Sequence, residues 1–162
     1  MGKINLMRVD DRLIHGQVMT KWSKGMGTNA LYVVDDATAS DEFMKQIYIS
    51  TNSSSSLSIK VFAVNEVIEA WKENQFGNDK VILLFKRILD AKKVIDSGVP
   101  AEHLNIGGIA KKPNSKFVIS TVGLTKEDAE LLREVQKKGV EVYFQIVPDT
   151  KKVPLNDALR EL

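Results

Sequence analysis

The 162-residue sequence has no cysteine. Disulfides, thiolate zinc centres and cysteine nucleophiles are thereby excluded, and a reducing compartment fits. Histidine is also scarce, with only His15 and His103, and no metal site is expected from two so placed. The formal net charge is only +2, which leaves no nucleic-acid footprint and no polybasic membrane tail. No apolar run approaches the roughly 20 residues of a membrane span. The N-terminus carries Lys3 without a long apolar stretch, so a signal peptide is not expected. No P-loop, G-x-G-x-x-G or G-x-S-x-G motif occurs. Gly25-Met26-Gly27 follows a helical segment instead of a strand. The expectation is a cytosolic chain, still able to dock on a membrane partner.

What is present fits one domain over residues 1–162, with 43% hydrophobic residues to form a core. Short apolar runs alternate with amphipathic segments. Strands are expected at Ile4–Val9, Ala30–Val34, Ile59–Val64 and Val81–Phe85, then at Leu104–Ile106, Phe117–Ser120 and Val140–Val147. Helices are expected at Gly16–Lys24, ended by Gly25 and Gly27, and at Asp41–Ser50, with Phe43, Met44, Ile47 and Tyr48 as one stripe. Another is expected after a cap at Asn65, carrying Val67, Ile68 and Trp71 and broken at Gly77-Asn78-Asp79. Two more are expected at Ile88–Ser97 and Thr125–Lys138. Thr125-x-x-Asp128 resembles a capping box, and Gly139 follows the last turn. The tail finishes as a short helix from Asn156. Trp22 and Trp71 read as core, and Ser53-Ser54-Ser55-Ser56 as a solvated loop. Such alternation predicts a doubly wound, mainly parallel α/β sheet with helices on both faces.

Ligands of open α/β sheets collect beyond the carboxyl ends of the strands. Arg8-Val9-Asp10-Asp11-Arg12-Leu13-Ile14-His15-Gly16-Gln17-Val18 leaves the first strand at that edge. It brings a histidine together with two arginines and two aspartates. His15-Gly16-Gln17 opens a helix whose free N–H groups favour an anion, and Gly16 allows close backbone approach. Arg8 or Arg12 could neutralise phosphate oxygens. Asp10 or Asp11 could orient the imidazole or hold an arginine. Asp35 and Asp36, Lys86 and Arg87, and Gly107 and Gly108 follow other strands and should share the rim. This collection suits reversible phosphorylation of His15.

The residues alone leave other readings open. A histidine near a helix start is commonly a cap or a packed residue. A non-catalytic anion-binding module would use the same helix start, and a general acid–base enzyme the same imidazole. An aspartyl-phosphate receiver fits Asp10-Asp11 but lacks an acceptor at the third strand end, where Asn65 stands.

The Arg8–Val18 stretch resembles the active-site loop of enzyme IIB of the mannose/fructose/sorbose class of the bacterial phosphotransferase system, which includes N-acetylgalactosamine-type systems. Val33-Val34-Asp35-Asp36-Ala37, Asp41-Glu42-Phe43, Leu84-Phe85-Lys86, Asn105-Ile106-Gly107-Gly108 and Gln145-Ile146-Val147-Pro148 resemble it in the same order. The resemblance implies that His15 receives phosphate on Nδ1 from a phosphohistidine of a separate IIA protein. It then passes the group to a sugar held by the membrane subunits IIC and IID. It implies that Arg8, Asp10 and Arg12 shape the loop and that no cofactor takes part. It also implies a cytoplasmic protein peripherally associated with the membrane through those subunits; homo-oligomerisation is left open. One departure is the Ser50–Ser58 stretch, where the family has a more apolar, proline-containing segment.

Overall fold

The computed structural model describes residues 2–14, 22, 26–50 and 57–161. Its strands are β1 (Lys3–Asp10), β2 (Ala30–Val34), β3 (Ser58–Phe62), β4 (Lys80–Phe85), β5 (His103–Gly108), β6 (Lys116–Ile119), β7 (Val122–Leu124), β8 (Glu141–Phe144) and β9 (Val153–Pro154). The helices are α1 (Asp36–Ser40), α2 (Glu42–Ser50), α3 (Val64–Asn74), α4 (Ile88–Asp96), α5 (Lys126–Lys137) and α6 (Leu155–Ala158), followed by a 3₁₀ turn at Leu159–Glu161.

Among the described residues, seven strands form one sheet in the order β3-β2-β4-β1-β5-β8-β9. Every pairing in it is parallel except β8 with β9. β1 lies between β4 and β5, so its carboxyl end opens at the middle of the sheet edge.

Side chains alternate across a strand, and here both faces are apolar. On one face Met7, Val9, Phe85 and Ile106 pack with Val67 of α3, Val94 of α4 and Leu132 of α5. On the other, Leu6, Leu31, Val33 and Leu84 pack with Trp22, against partly buried Ala39 and Tyr48 of α1 and α2. Helices therefore cover both faces, as the alternation predicts. Each such buried aliphatic side chain contributes roughly 1.5–3 kcal/mol.

Several local expectations change. The helix expected from Asp41 is preceded by a separate short one, α1, capped by Asp35. Its proposed apolar stripe is split: Tyr48 packs inward, whereas Phe43 and Ile47 are 75% and 39% exposed. Asn65 is not the cap of α3, because the helix already begins at Val64 after Ala63. The free N–H groups there are met by other carboxylates: Ala63 N donates to Glu66 Oε1 (2.7 Å) and Val64 N to Asp36 Oδ1 (2.8 Å). α3 also ends before Gly77, at Gln75 and Phe76 with φ of 53° and 63°. Phe76 tolerates that strain because its buried ring meets Tyr32 and Trp71 edge-on, at 4.9 and 5.0 Å.

Gly107 and Gly108 belong to β5 itself. β6 is half of a hairpin whose other strand, the three-residue β7, has too little sequence to announce itself. β8 stops at Phe144, short of the expected Val147, and the tail returns as the antiparallel edge strand β9. Pro154 is tolerated there because an edge strand can lack a donor. The Thr125–Asp128 capping box is present in both directions, at 3.0 and 3.2 Å. Of the helix expected at Gly16–Lys24, only Trp22 is described, and it is helical. The Ser53–Ser56 segment lies outside the described residues.

The tyrosines report on this packing. Burial pushes Tyr143 up to about 12, with the nearby Glu141 charge adding to it. Burial and the hydroxyl bond to Asp79 raise Tyr32, and burial chiefly raises Tyr48. A phenol whose folded pKa is raised stabilises the fold below its ordinary value of about 10, and loses that contribution as pH climbs to the folded value. All three tyrosines should therefore stay protonated at pH values near 10, and stability should fall between about pH 10 and 12. Phenolate absorbance tests this; half-titration near pH 10 with the fold intact would contradict it.

Candidate phosphoryl-transfer site

The carboxyl edge of the sheet gathers the ends of β1, β2, β4, β5 and β8. β1 ends at Asp10, and its last turns of side chain on one face are Arg8 and Asp10, which are 0% and 1% exposed. Two charges so deep are tolerated only when closely paired and hydrogen-bonded. Arg8 Nη2 donates to Asp10 Oδ2 (3.2 Å) and to the carbonyl of Ile146 (2.9 Å). Arg8 Nη1 donates to Asn105 Oδ1 and to the carbonyl of Gln145 (3.1 Å). Asn105 Nδ2 shares the Gln145 carbonyl (3.1 Å), and Trp22 Nε1 donates to the Ile146 carbonyl (3.1 Å). The Trp22 ring lies 5.3 Å from the guanidinium. Arg8 Nε is the one buried side-chain nitrogen or oxygen without a partner among the described residues.

Asp10 is shared with a second arginine. Its Oδ1 accepts from Arg12 N (3.1 Å) and Nε (3.0 Å), and its Oδ2 from Arg12 Nη2 (2.9 Å). Arg12 is 46% exposed, so its guanidinium is fixed from below and open above. The hydrogen bonds its guanidinium donates to Asp10 raise the Arg12 pKa. Burial lowers that of Arg8, and Asp10 pulls it part of the way back. Leu13 N donates to the Asp10 carbonyl (2.8 Å), closing a turn that holds Leu13 at φ 56°. Burial of the Leu13 side chain beside Trp22 offsets that strain.

Gly107 and Gly108 are the floor of this arrangement. The β1–β5 register shifts between Val9–Ile106 and Asp10–Gly108, leaving Gly107 as an extra residue. A Cβ at Gly107 would fall on the Arg8 guanidinium; one at Gly108 would lie 2.7 Å from Asp10 Oδ1. Only glycine leaves room for both side chains.

The other residues singled out in the sequence separate by role. Asp11 does not touch the arginine pair by hydrogen bond; its Oδ2 accepts from Ala110 N (2.7 Å), tying the loop after β1 to the one after β5. Asp35 is buried and accepts from Thr38 N (3.1 Å) and Oγ1 (2.7 Å), which makes it a helix cap. Asp36 reaches the start of α3. Lys86 is exposed, and Arg87 is held by Asp90 at 2.9 and 3.2 Å. The edge therefore unites Arg8, Asp10, Arg12, Gly107 and Gly108 in one contact network, with Asp11 and Lys86 beside it. His15, Gly16 and Gln17 lie outside the described residues.

A family model described as the PTS system sorbose subfamily IIB component matches residues 4–162. This chain belongs to that family. The protein is thus a IIB component of a phosphotransferase system serving sugar uptake. The solved structure of manxB from Thermoanaerobacter tengcongensis is similar to this IIB component with a TM-score of 0.92 and 41% identity, over 99% of this chain and 97% of that one. The IIB domain of the sorbose permease from Klebsiella pneumoniae gives 0.91 and 30%, over 98% and 97%. The mannose-specific EIIAB component of Escherichia coli K12 is 28% identical over 98% of this chain, which spans 49% of that relative.

Among the described residues of this IIB component, no cluster of three or more His, Asp or Glu side chains could hold a metal ion. Sequence reasoning assigned no role to Asn105, nor to the Gln145 and Ile146 carbonyls. The available signal was a polar residue inside an apolar strand: Asn105 interrupts Leu104–Ile106, and it is fully buried.

Replacing Gly107 by Ala should destabilise the IIB component by about 1–3 kcal/mol, because the methyl group displaces Arg8 from its carbonyl acceptors. Urea unfolding measures it, and an unchanged midpoint would show that Arg8 is not seated on Gly107.

Proposed function

We propose that this IIB component is a phosphoryl carrier whose acceptor is His15, and that residues 1–162 act as one domain. The supporting observation is Arg12: three residues before His15, at the carboxyl end of the central strand, a half-exposed guanidinium is locked by Asp10. Such a cation is ready to meet an incoming phosphate through forked hydrogen bonds, without first being ordered. Arg8, fully enclosed, is a support for Asp10 and the turn, not a phosphate ligand. Exposure supports Arg12 over Arg8 as the phosphate-facing cation.

The donor is a phosphohistidine on a IIA protein. A neutral His15 ring nitrogen, Nδ1 by family resemblance, attacks its phosphorus in line. The new N–P bond forms as the donor's N–P bond breaks; the donor imidazole keeps that electron pair and takes up a proton, while His15 gives up the proton on its other ring nitrogen. In the second transfer a sugar hydroxyl oxygen attacks the same phosphorus. The His15 N–P bond breaks, His15 keeps the electron pair, and the proton given up by the hydroxyl restores the neutral imidazole. Catalysis rests on position and on cations around the transferred group. Gly16 and Gln17 would add backbone N–H groups, and Asp11 fixes the loop from the side. The mannose relative joins A and B components in one chain, which supports a IIA partner. The sugar-bearing membrane subunits IIC and IID would hold the protein at the cytoplasmic face of the membrane.

Intact mass after incubation with phosphoenolpyruvate, enzyme I, HPr and a IIA protein of this class should show one added phosphoryl group, lost in acid. His15→Ala should take none while unfolding like the wild type; phosphorylation of that variant would remove His15 from its role. Arg12→Ala should slow transfer by the equivalent of about 1.5–3 kcal/mol of charged hydrogen bonding. A wild-type rate in that variant would place the phosphate elsewhere.

A further inference from the structure

A hollow of about 410 Å³ opens beside the loop that leads to His15. Asp11 forms its nearer wall, and Ile88, Leu89, Ile109 and Leu131 contribute apolar lining. Leu89 is 40% exposed, on the first turn of α4. Lys86 and Lys112 stand at the same hollow; the Lys112 backbone is bonded to Ser115, but among the described residues neither ammonium group donates a hydrogen bond or pairs with a carboxylate. Asp128, also in the lining, is engaged in the α5 capping box. An apolar depression with uncommitted ammonium groups leaves both its grease and its charge unsatisfied.

We infer that this hollow receives the phosphoryl-donor protein, taking an apolar side chain flanked by carboxylates. The inference rests on the carrier reading above. Charge complementarity selects the occupant: the donor brings an anionic phosphohistidine, and a surface acidic around it matches Lys86 and Lys112. Position agrees, because Asp11 belongs both to the hollow and to the turn at residues 10–13, so a partner seated there meets the described start of the segment that carries His15 in sequence. Among the described residues two other exposed apolar groups stand apart from it: Phe117, 56% exposed on β6, whose surroundings include neither Asp11 nor Lys86, and Phe43 with Ile47 on α2, which lacks the charge match. Acidic residues Asp41 and Glu42 start its helix, and Asp36 lies just upstream. Fixed cations steer encounter and apolar anchors set lifetime, so the hollow should govern donor affinity and leave the chemical step alone.

The test is steady-state phosphorylation of the full chain at varied concentrations of phosphorylated IIA protein. Leu89→Asp should raise the KM for the donor at least about tenfold with kcat within about twofold. Lys112→Glu should raise it about three- to tenfold, weaken its dependence on salt, and be partly rescued by a donor carrying an acid-to-lysine exchange. Phe43→Ser should change neither constant. Thermal unfolding of each variant checks the fold, and Leu89→Ser replaces Leu89→Asp if the latter unfolds. Unchanged KM in both hollow variants, or a raised KM in Phe43→Ser alone, would overturn the docking site. So would normal donor kinetics with loss of sugar phosphorylation in membrane vesicles, or conversion of a dimer to a monomer by Leu89→Asp. Wild-type phosphorylation in those experiments keeps such failures apart from failure of the carrier reading, which no phosphorylation of the wild type would signal.

Discussion

The carboxyl edge of the sheet is organised by one buried carboxylate. Asp10 binds Arg8 below and Arg12 above, and nearly every other feature of the edge serves that three-charge stack. Burying it has a desolvation cost that only dense hydrogen bonding offsets. The bonds come from far along the chain: Asn105 on β5 and the carbonyls of Gln145 and Ile146 just after β8. The two glycines of β5 supply the space. Three parallel strands are thus joined by polar contacts at their carboxyl ends as well as by backbone ladders.

The stack also divides labour between chemically identical side chains. Arg8 gives all its exposure to the interior and becomes a structural cation. Arg12 is fixed by the same carboxylate yet keeps its outer face in solvent. A guanidinium held this way has already lost its rotational freedom before any anion arrives. The segment after β1 begins from a fixed turn, since Leu13 is anchored in the core beside Trp22.

The alternation of apolar and amphipathic segments was enough to read a doubly wound parallel sheet, because buried parallel strands such as Val81–Phe85 need continuous apolar sequence. Strong local chemistry was legible too, as at Thr125–Asp128, where both halves of a capping box lie within four residues. Elements defined by distant partners were not. β7 exists because it pairs with β6, and β9 because β8 offers an edge. The start of α3 depends on Asp36, a residue 28 positions upstream. The outward turn of Phe43 and Ile47 was equally hidden, since an apolar stripe does not state which side meets the core.

At the site, the sequence by itself determined the inventory: a histidine, two arginines and two aspartates in one short stretch at the end of a first strand and just beyond it, in a pattern held in common with the IIB family. It also determined the edge of the sheet on which they stand, because chain direction fixes where a parallel strand ends. Only the tertiary structure decided which arginine is buried, which aspartate clamps both, and why two glycines face them. Those choices depend on burial and on acceptors brought from β5 and the end of β8. Local sequence carries neither the dielectric around a charge nor the identity of a partner almost a hundred residues away.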